Sequence, residues 1–469
     1  MKIALPKGRL LKKTAALLRR ASWELDEYHE EVRFYHSRSQ KFPHMLAKVF
    51  HEKDIPIQVA VGNYDLGICG SDWVEELLAK YPSSSVVKLR PLGYGECALY
   101  MTASPSQPAM VAAMKSGDGV VRIASEYPNL AESFALRHRL SLFNIFPVWG
   151  GAEAYPPEGA EMALISVAAE AELGQRGVVP VSKLLDCEAF LIANRNSWEA
   201  SDLGDVVASI GDKLPAAEES RIFTGVAVAP EKIARRPAAK KDADTVRLAL
   251  PDGHQQQPTL ELLGKCGIDI DDYPSATGNR RPATGLEGFT VKVIRPQDMP
   301  LQMANGNFDL AITGRDWLRE HLYQFPSSPV RELLDLKQGR VRLVAVVSQE
   351  LPDDVPGLRQ FIARRAQTFR VASEYVNIAD RYARDKRLGP YRVVPTWGAT
   401  EAFLPDDADL LIENTETGRT IARHNLKIVE TIFESTACLI GSAEGASRPV
   451  KRERIESIVK TLRAAVEDI

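Results

Sequence analysis

The chain is written twice, and no other feature limits its fold as much. Ile3-Ala4-Leu5-Pro6-Lys7-Gly8-Arg9 recurs as Leu248-Ala249-Leu250-Pro251-Asp252-Gly253-His254, an offset of 245 residues from Pro6 to Pro251. Asp54-Ile55-Pro56 recurs as Asp298-Met299-Pro300. The twelve residues from Gly62 to Trp73 recur from Gly306 to Trp317, 244 residues on. Ala124-Ser125-Glu126-Tyr127-Pro128-Asn129 recurs as Ala372-Ser373-Glu374-Tyr375-Val376-Asn377, and Trp149-Gly150-Gly151-Ala152-Glu153-Ala154 as Trp397-Gly398-Ala399-Thr400-Glu401-Ala402. The last offset is 248. A nearly constant offset over so many blocks is a tandem duplication. The unit is too long for a solenoid repeat, so each copy is expected to be a complete fold. Residues 231–242 are polar and rich in Ala, Pro and Lys, and read as the join.

Within each copy strands and helices alternate. Residues 3–5, 65–68 and 120–124 read as short apolar strands, and 10–20, 72–80 and 129–139 as helices. This is an α/β pattern of mostly parallel strands. Such sheets bind ligands beyond the C-terminal ends of their strands. The loops 6–9, 70–72, 125–129 and 150–153 are the expected site loops, with their equivalents in the second copy.

One stretch carries a more specific signal. Glu413-Asn414-Thr415-Glu416-Thr417-Gly418-Arg419-Thr420 follows the apolar run Leu410-Leu411-Ile412 and precedes a short helical segment. Strand, Thr-Gly-x-Thr and helix form an arrangement that binds phosphate. The glycine allows a tight turn, and freed N–H groups and a helix N-terminus face the anion. Glu413 and Glu416 can accept from sugar hydroxyls, which points to a phosphoribosyl group. A capped surface turn is the plain alternative for these residues in isolation.

Composition excludes several classes. The 469 residues carry a net charge of −3, so no overall basic field favours nucleic acid or an acidic membrane. The five cysteines, Cys69, Cys97, Cys187, Cys266 and Cys438, are scattered and form no C-x-x-C pair. Neither a disulfide framework nor a zinc site is indicated. Cys69 and Cys438 read as small core residues. No 18-residue apolar run and no leader-like segment is seen, and a cytoplasmic protein is expected.

Leu5-Pro6-Lys7-Gly8-Arg9-Leu10, Asp54-Ile55-Pro56, Asp65-Leu66-Gly67-Ile68-x-Gly-x-Asp72 and Glu416-Thr417-Gly418-Arg419-Thr420 together resemble one family in order and spacing. That family is ATP phosphoribosyltransferase, the first enzyme of histidine biosynthesis. The resemblance implies two lobes per copy, folded like the type II periplasmic binding proteins. It implies ATP and phosphoribosyl pyrophosphate as substrates and Mg²⁺ as cofactor, with its ligands unassigned. The family has a short form that works with a separate regulatory subunit, and the chain looks like two short forms joined. A regulatory partner and further oligomerisation are left open. The implied halves are 1–228 and 245–469, with a linker at 229–244. The implied lobes are 1–95 plus 180–215 and 96–179, then 245–340 plus 429–469 and 341–428.

The halves have lost different things. Thr417-Gly418-Arg419-Thr420 aligns with Ala169-Glu170-Ala171-Glu172, so the first half has exchanged a glycine and two hydroxyls for carboxylates. Lys7-Gly8-Arg9 aligns with Asp252-Gly253-His254, so the second half has lost two cations. Reciprocal loss is expected if one active site draws on both halves. The second half would supply the phosphoribosyl cradle. The first would supply Lys7 and Arg9, the family's arginine being one that reaches a neighbouring subunit's ATP. Expulsion of pyrophosphate calls for placed cations rather than a strong base. Arg38 sits where the family has a segment associated with the leaving group, Arg280 and Arg281 lie in the corresponding second-half stretch, and either set could serve. Arg295 matches a family arginine that His51 replaces in the first half. Gly398 and Glu401 match family residues near the ribosyl site. An inactive ligand-binding or regulatory paralogue is the alternative function, supported by Asp252, His254 and Glu413. A solute-binding protein is disfavoured.

Overall fold

The computed structural model describes residues 1–25, 28–29, 36–106, 120–214, 244–276, 278–443, 445 and 448–467. The expected linker lies outside the described residues as far as 243. Four sheets form, two per half. In the first half, lobe one is ordered His36–Arg38, Leu46–Phe50, Lys2–Pro6, Leu66–Gly70, Ala189–Asn194, Val86–Pro91. Lys2–Pro6 lies parallel to Leu46–Phe50 and Leu66–Gly70, and Ala189–Asn194 returns antiparallel. Lobe two is ordered Val179–Cys187, Cys97–Ala103, Met162–Val167, Val121–Ser125, Phe143–Pro147. The second half repeats both lobes, with five strands in each sheet. The two-lobed, type II periplasmic-binding-protein-like α/β fold is therefore present twice.

Local sequence explains these elements. Leu66–Gly70 is buried along its whole length, as a central strand covered on both faces must be. The helix Leu11–Arg20 buries Leu11, Ala15, Leu17 and Leu18 and turns Lys12, Lys13, Arg19 and Arg20 to solvent. Among the described residues no helix is long and apolar enough to cross a membrane.

The lobe boundaries differ from the sequence-based ones. Val179–Cys187 pairs antiparallel with Cys97–Ala103 in the lobe-two sheet, so the chain returns to lobe one between Cys187 and Ala189, not near 180. Leu426–Ser435 pairs likewise with Val341–Ser348, moving the second return from 429 to the gap between Ser435 and Ala437. Pro180 falls within this edge strand, where a residue without an N–H is tolerated.

The halves interlock. Lobe one of the first half shares a core with lobe two of the second: Ile3, Leu5 and Phe50 lie in one cluster with Val344, Phe403, Leu411 and Ile421. Phe50 meets Tyr64 and Phe403 edge-on at 5.1 and 5.2 Å. Reciprocally, Ala249, Ile294 and Met299 of the second half pack with Ala124, Tyr155 and Ile165 of the first. Charged contacts between the halves follow the same pseudo-symmetry. Lys48 pairs with Asp406 at 3.1 Å and Asp407 at 2.9 Å, and Lys292 pairs with Glu158 at the equivalent place. Asp54 accepts the Trp397 N–H, and Asp298 accepts that of Trp149 at 3.1 Å. One chain thus builds a pseudo-dimer in which each lobe two faces the other half's lobe one.

Candidate active site

The strand Leu410–Thr415 ends in the loop expected to bind phosphate. Gly418 has φ of 74°, a left-handed conformation that disfavours any side chain. The following helix, Arg419–Arg423, is only five residues long, so loop N–H groups and hydroxyls must outweigh any helix dipole. The Gly418 N–H donates to Thr415 Oγ1 at 2.9 Å and the Arg419 N–H to Thr417 Oγ1 at 3.4 Å. Glu416, Thr417, Arg419 and Thr420 are exposed and face solvent. Arg342, opposite Thr415 in the neighbouring strand, brings Nη2 to 3.9 Å from where a Gly418 side chain would begin.

The matching first-half loop satisfies itself. Glu172 accepts the Ala169 N–H at 3.1 Å, and Glu170 accepts from the Tyr100 hydroxyl at 3.1 Å. Carboxylates stand where the intact loop offers donors. Ala98 occupies the position of Arg342.

Beside the cradle, Glu374, Glu401 and Glu413 form an acidic group. Burial pushes Glu374 up to about 7, the charge of Glu401 adds to this, and Lys53 of the first half opposes it. Burial, then Glu401 and Glu374, push Glu413 well above the carboxylate range. Folded Glu374 therefore keeps a proton that the unfolded chain releases above its ordinary value of 4.5. Its contribution to stability is greatest below that value and is lost as pH rises through about 7. Glu374→Gln is expected to raise the unfolding free energy by about 1–2 kcal/mol at pH near 8, with no difference near pH 4. Denaturant titrations at the two pH values check this.

The first half faces this site with cations. Lys7 lies close enough to His51 and His424 to act on both. Burial, Lys53 and Lys7 hold His51 down to about 4; burial, His36, Arg423 and Lys7 do the same to His424. The His51 ring is 3.9 Å from where a side chain on Gly398 would begin, and Glu374 is 3.7 Å from it. His36 approaches Asp406 at 3.8 Å, and exposed Arg38 lies two residues along the same edge strand.

The remaining predicted cations are elsewhere. Arg9 is held in its own half: it donates to Glu52 at 3.1 Å, to Asp72 at 3.0 Å and to Cys97 Sγ at 3.0 Å. Three acceptors in reach explain why it does not extend to the Thr417 loop. Arg280 and Arg281 face the first half's lobe two, not the intact cradle. Arg280 donates to Asp252 at 2.6 Å and Glu153 at 3.4 Å; Arg281 donates to the Ala154 carbonyl at 3.2 Å. Arg295 lies beside Gly150 and 3.4 Å from Asp252. Burial alone would raise the Asp252 carboxyl, but Arg280 and then Arg295 outweigh it and hold it low. The bridge Ile270↔Thr284 matches Leu25↔Ser39, which aligns Arg281 with His36 rather than with Arg38. Arg281 and His36 each meet the other half's equivalent acid, Glu158 and Asp406.

Sequence reasoning missed Arg342, Lys53, His51 and His424 as neighbours of the cradle. Arg342 was detectable, since Ala98 replaces it in the first copy. The others follow only from the interlock.

Fold and site together define a two-lobed α/β protein, present twice, in which one copy ends a central strand of lobe two in an exposed Thr-Gly-x-Thr loop. The chain belongs to the ATP phosphoribosyltransferase family: the family model (HisG: ATP phosphoribosyltransferase) matches residues 51–214 and 295–464, one segment in each half. The ATP phosphoribosyltransferase of Geotalea daltonii is 31% identical over 48% of this chain and 74% of its own length. That of Chlorobaculum parvum is 31% identical over 48% and 72%. A solved Thermotoga maritima ATP phosphoribosyl transferase (HisG:HisZ) complex chain aligns over 48% of this chain and 100% of its own, at 22% identity and a TM-score of 0.39.

Proposed function

We propose that the chain joins ATP and phosphoribosyl pyrophosphate to give phosphoribosyl-ATP and pyrophosphate at one composite site. The observation that carries this reading is the unequal pair of loops: one leaves Thr417, Arg419 and Thr420 at the surface beside Arg342, and the other holds Glu170 and Glu172. Thr417, Gly418, Arg419 and Thr420 hold the 5′-phosphate. Glu401, Glu413 and Glu416 take the ribose hydroxyls, with Gly398 leaving room for the sugar. Glu413, held neutral, can also donate. Adenine N1 attacks ribose C1 with its own lone pair, so no residue need act as a strong base. Lys7 from the first half, with Arg342 and Arg38, offsets the charge that gathers on the departing pyrophosphate. Arg9 acts by tying Glu52 and Asp72 of lobe one to Cys97 of lobe two. Arg280, Arg281 and Arg295 are engaged by Asp252 of their own half and by Glu153 and Glu158 of the first half's lobe two.

Magnesium fits this site as an ion that arrives with the pyrophosphate. Among the described residues no group of three or more His, Cys, Asp or Glu is placed to hold a metal. Mg²⁺ commonly takes substrate phosphates, water and one or two carboxylates, and Glu374 and Glu401 are the carboxylates at hand. When bound, it would supply charge neutralisation on the phosphates.

Purified protein given both substrates should form phosphoribosyl-ATP, read by its absorbance, and calorimetry should count one phosphoribosyl pyrophosphate per chain. Two per chain would overturn the single site. Binding without product would favour a non-catalytic paralogue.

A further inference from the structure

The five cysteines are scattered in sequence, but folding brings two of them together. Cys97 is the first residue of the strand that enters lobe two of the first half, and Cys187 is the last residue of the strand that leaves it. The two are register partners in the antiparallel ladder. Directly opposed residues in such a ladder have Cα atoms about 4.5–5.5 Å apart, within the span of a disulfide. The equivalent pair in the second half is Val341 and Ser435, so the arrangement belongs to the first half alone.

We propose that Cys97 and Cys187 form an oxidation site, at which a hydroperoxide converts the two thiols into a disulfide that staples the two interlobe crossings of the first half. Cys97 is the attacking thiol. Arg9 Nη1 donates to its sulfur at 3.0 Å; Cys97 is 8% exposed and Cys187 5%, so the peroxide reaches the pair past the partly exposed Arg9 side chain. A hydrogen bond from Cys187, helped by the Arg9 charge, brings the Cys97 thiol down against burial and the nearby Asp72 charge. The shift favours the thiolate, the form that attacks.

The steps balance. The Cys97 thiolate attacks the peroxide oxygen, breaks the O–O bond and becomes a sulfenic acid, while hydroxide leaves and takes up a proton. The Cys187 sulfur then attacks Cys97 sulfur, the S–O bond breaks, and water leaves with the Cys187 proton. Two thiols are oxidised and one peroxide is reduced to two waters. The product removes the thiolate that Arg9 holds and joins the outgoing and returning strands.

The test treats the full chain, folded and at neutral pH, with dilute hydrogen peroxide. Thiol titration should lose two of the five cysteines. Peptide mapping without reductant should find one link, Cys97 to Cys187, reversed by dithiothreitol. Cys187→Ser should instead stop at a sulfenic acid on Cys97 that dimedone traps; Cys187→Ala provides the same test if the serine variant folds poorly. Arg9→Ala should slow the loss of thiol roughly threefold or more, since lost thiolate outweighs gained nucleophilicity. Retention of all five thiols, a link through any other cysteine, or Cys97 passing to sulfinic acid with Cys187 free would each overturn the proposal. An unchanged rate in Arg9→Ala would overturn Cys97 as the attacking thiol.

Discussion

Gly418→Glu should lower kcat/KM by at least about a thousandfold while the protein stays folded. Two effects add. The residue sits at φ of 74°, where a side chain costs about 1–2 kcal/mol of backbone strain. The larger effect is electrostatic. A carboxylate about 4 Å from a phosphate oxygen repels it by roughly 4 kcal/mol at an effective dielectric of about 20, which is about three decades in affinity. Nature has made this substitution once already, as Glu170 in the first copy. The mirror change Glu170→Gly should therefore leave turnover as it is, because Glu172 and the absence of an Arg342 equivalent still spoil that loop. Steady-state kinetics with circular dichroism as the folding control separates these outcomes. More than a tenth of wild-type turnover in Gly418→Glu would mean that the phosphate is held elsewhere.

The cradle was legible because the chain carries its own comparison. Two copies at a fixed offset show which residues changed, and Gly418 against Glu170 or Lys7 against Asp252 needs no third sequence. The two-lobed fold was legible for a similar reason, since alternation of short apolar strands and amphipathic helices is a local property. What was not legible is which lobe faces which. Arg9 and Lys7 are neighbours in sequence, yet Arg9 turns to Asp72 and Glu52 while Lys7 acts on His424 of the other half. Nothing in Lys7-Gly8-Arg9 encodes that difference; it depends on acceptors brought in from tens to hundreds of residues away. For the same reason the sequence leaves open whether Arg38 or Arg280 and Arg281 serve the leaving group; in the fold Arg280 and Arg281 meet Glu153 and the Ala154 carbonyl of the first half. The edge strand Val179–Cys187 was split from its lobe because a pairing partner some eighty residues earlier has no local signature.

Lys7→Asp is the second large effect, and it tests the interlock itself. The substitution copies Asp252 into the first half. It removes a cation that acts on His51 and His424 and places an acid there, a change of two charges toward a phosphorylated substrate bound as proposed. At separations of about 6–8 Å and a dielectric of about 20, each unit charge is worth roughly 2 kcal/mol before salt screening. The KM for phosphoribosyl pyrophosphate should rise about a hundredfold, and Lys7→Gln should rise by about the square root of that. The effect should shrink at high salt, whereas that of Gly418→Glu, which includes backbone strain, should shrink less. The comparison position behaves differently. Asp252 balances Arg280 and Arg295 in the first-half cleft, so Asp252→Asn should cost stability and leave the KM alone. If Lys7→Asp leaves the KM unchanged, the second half works with its own residues and the two halves are joined for stability rather than for chemistry. If Asp252→Asn raises the KM instead, the active cleft is the one lined by Arg280 and Arg295, and the carboxylates of the first-half loop must move out of it when substrate binds.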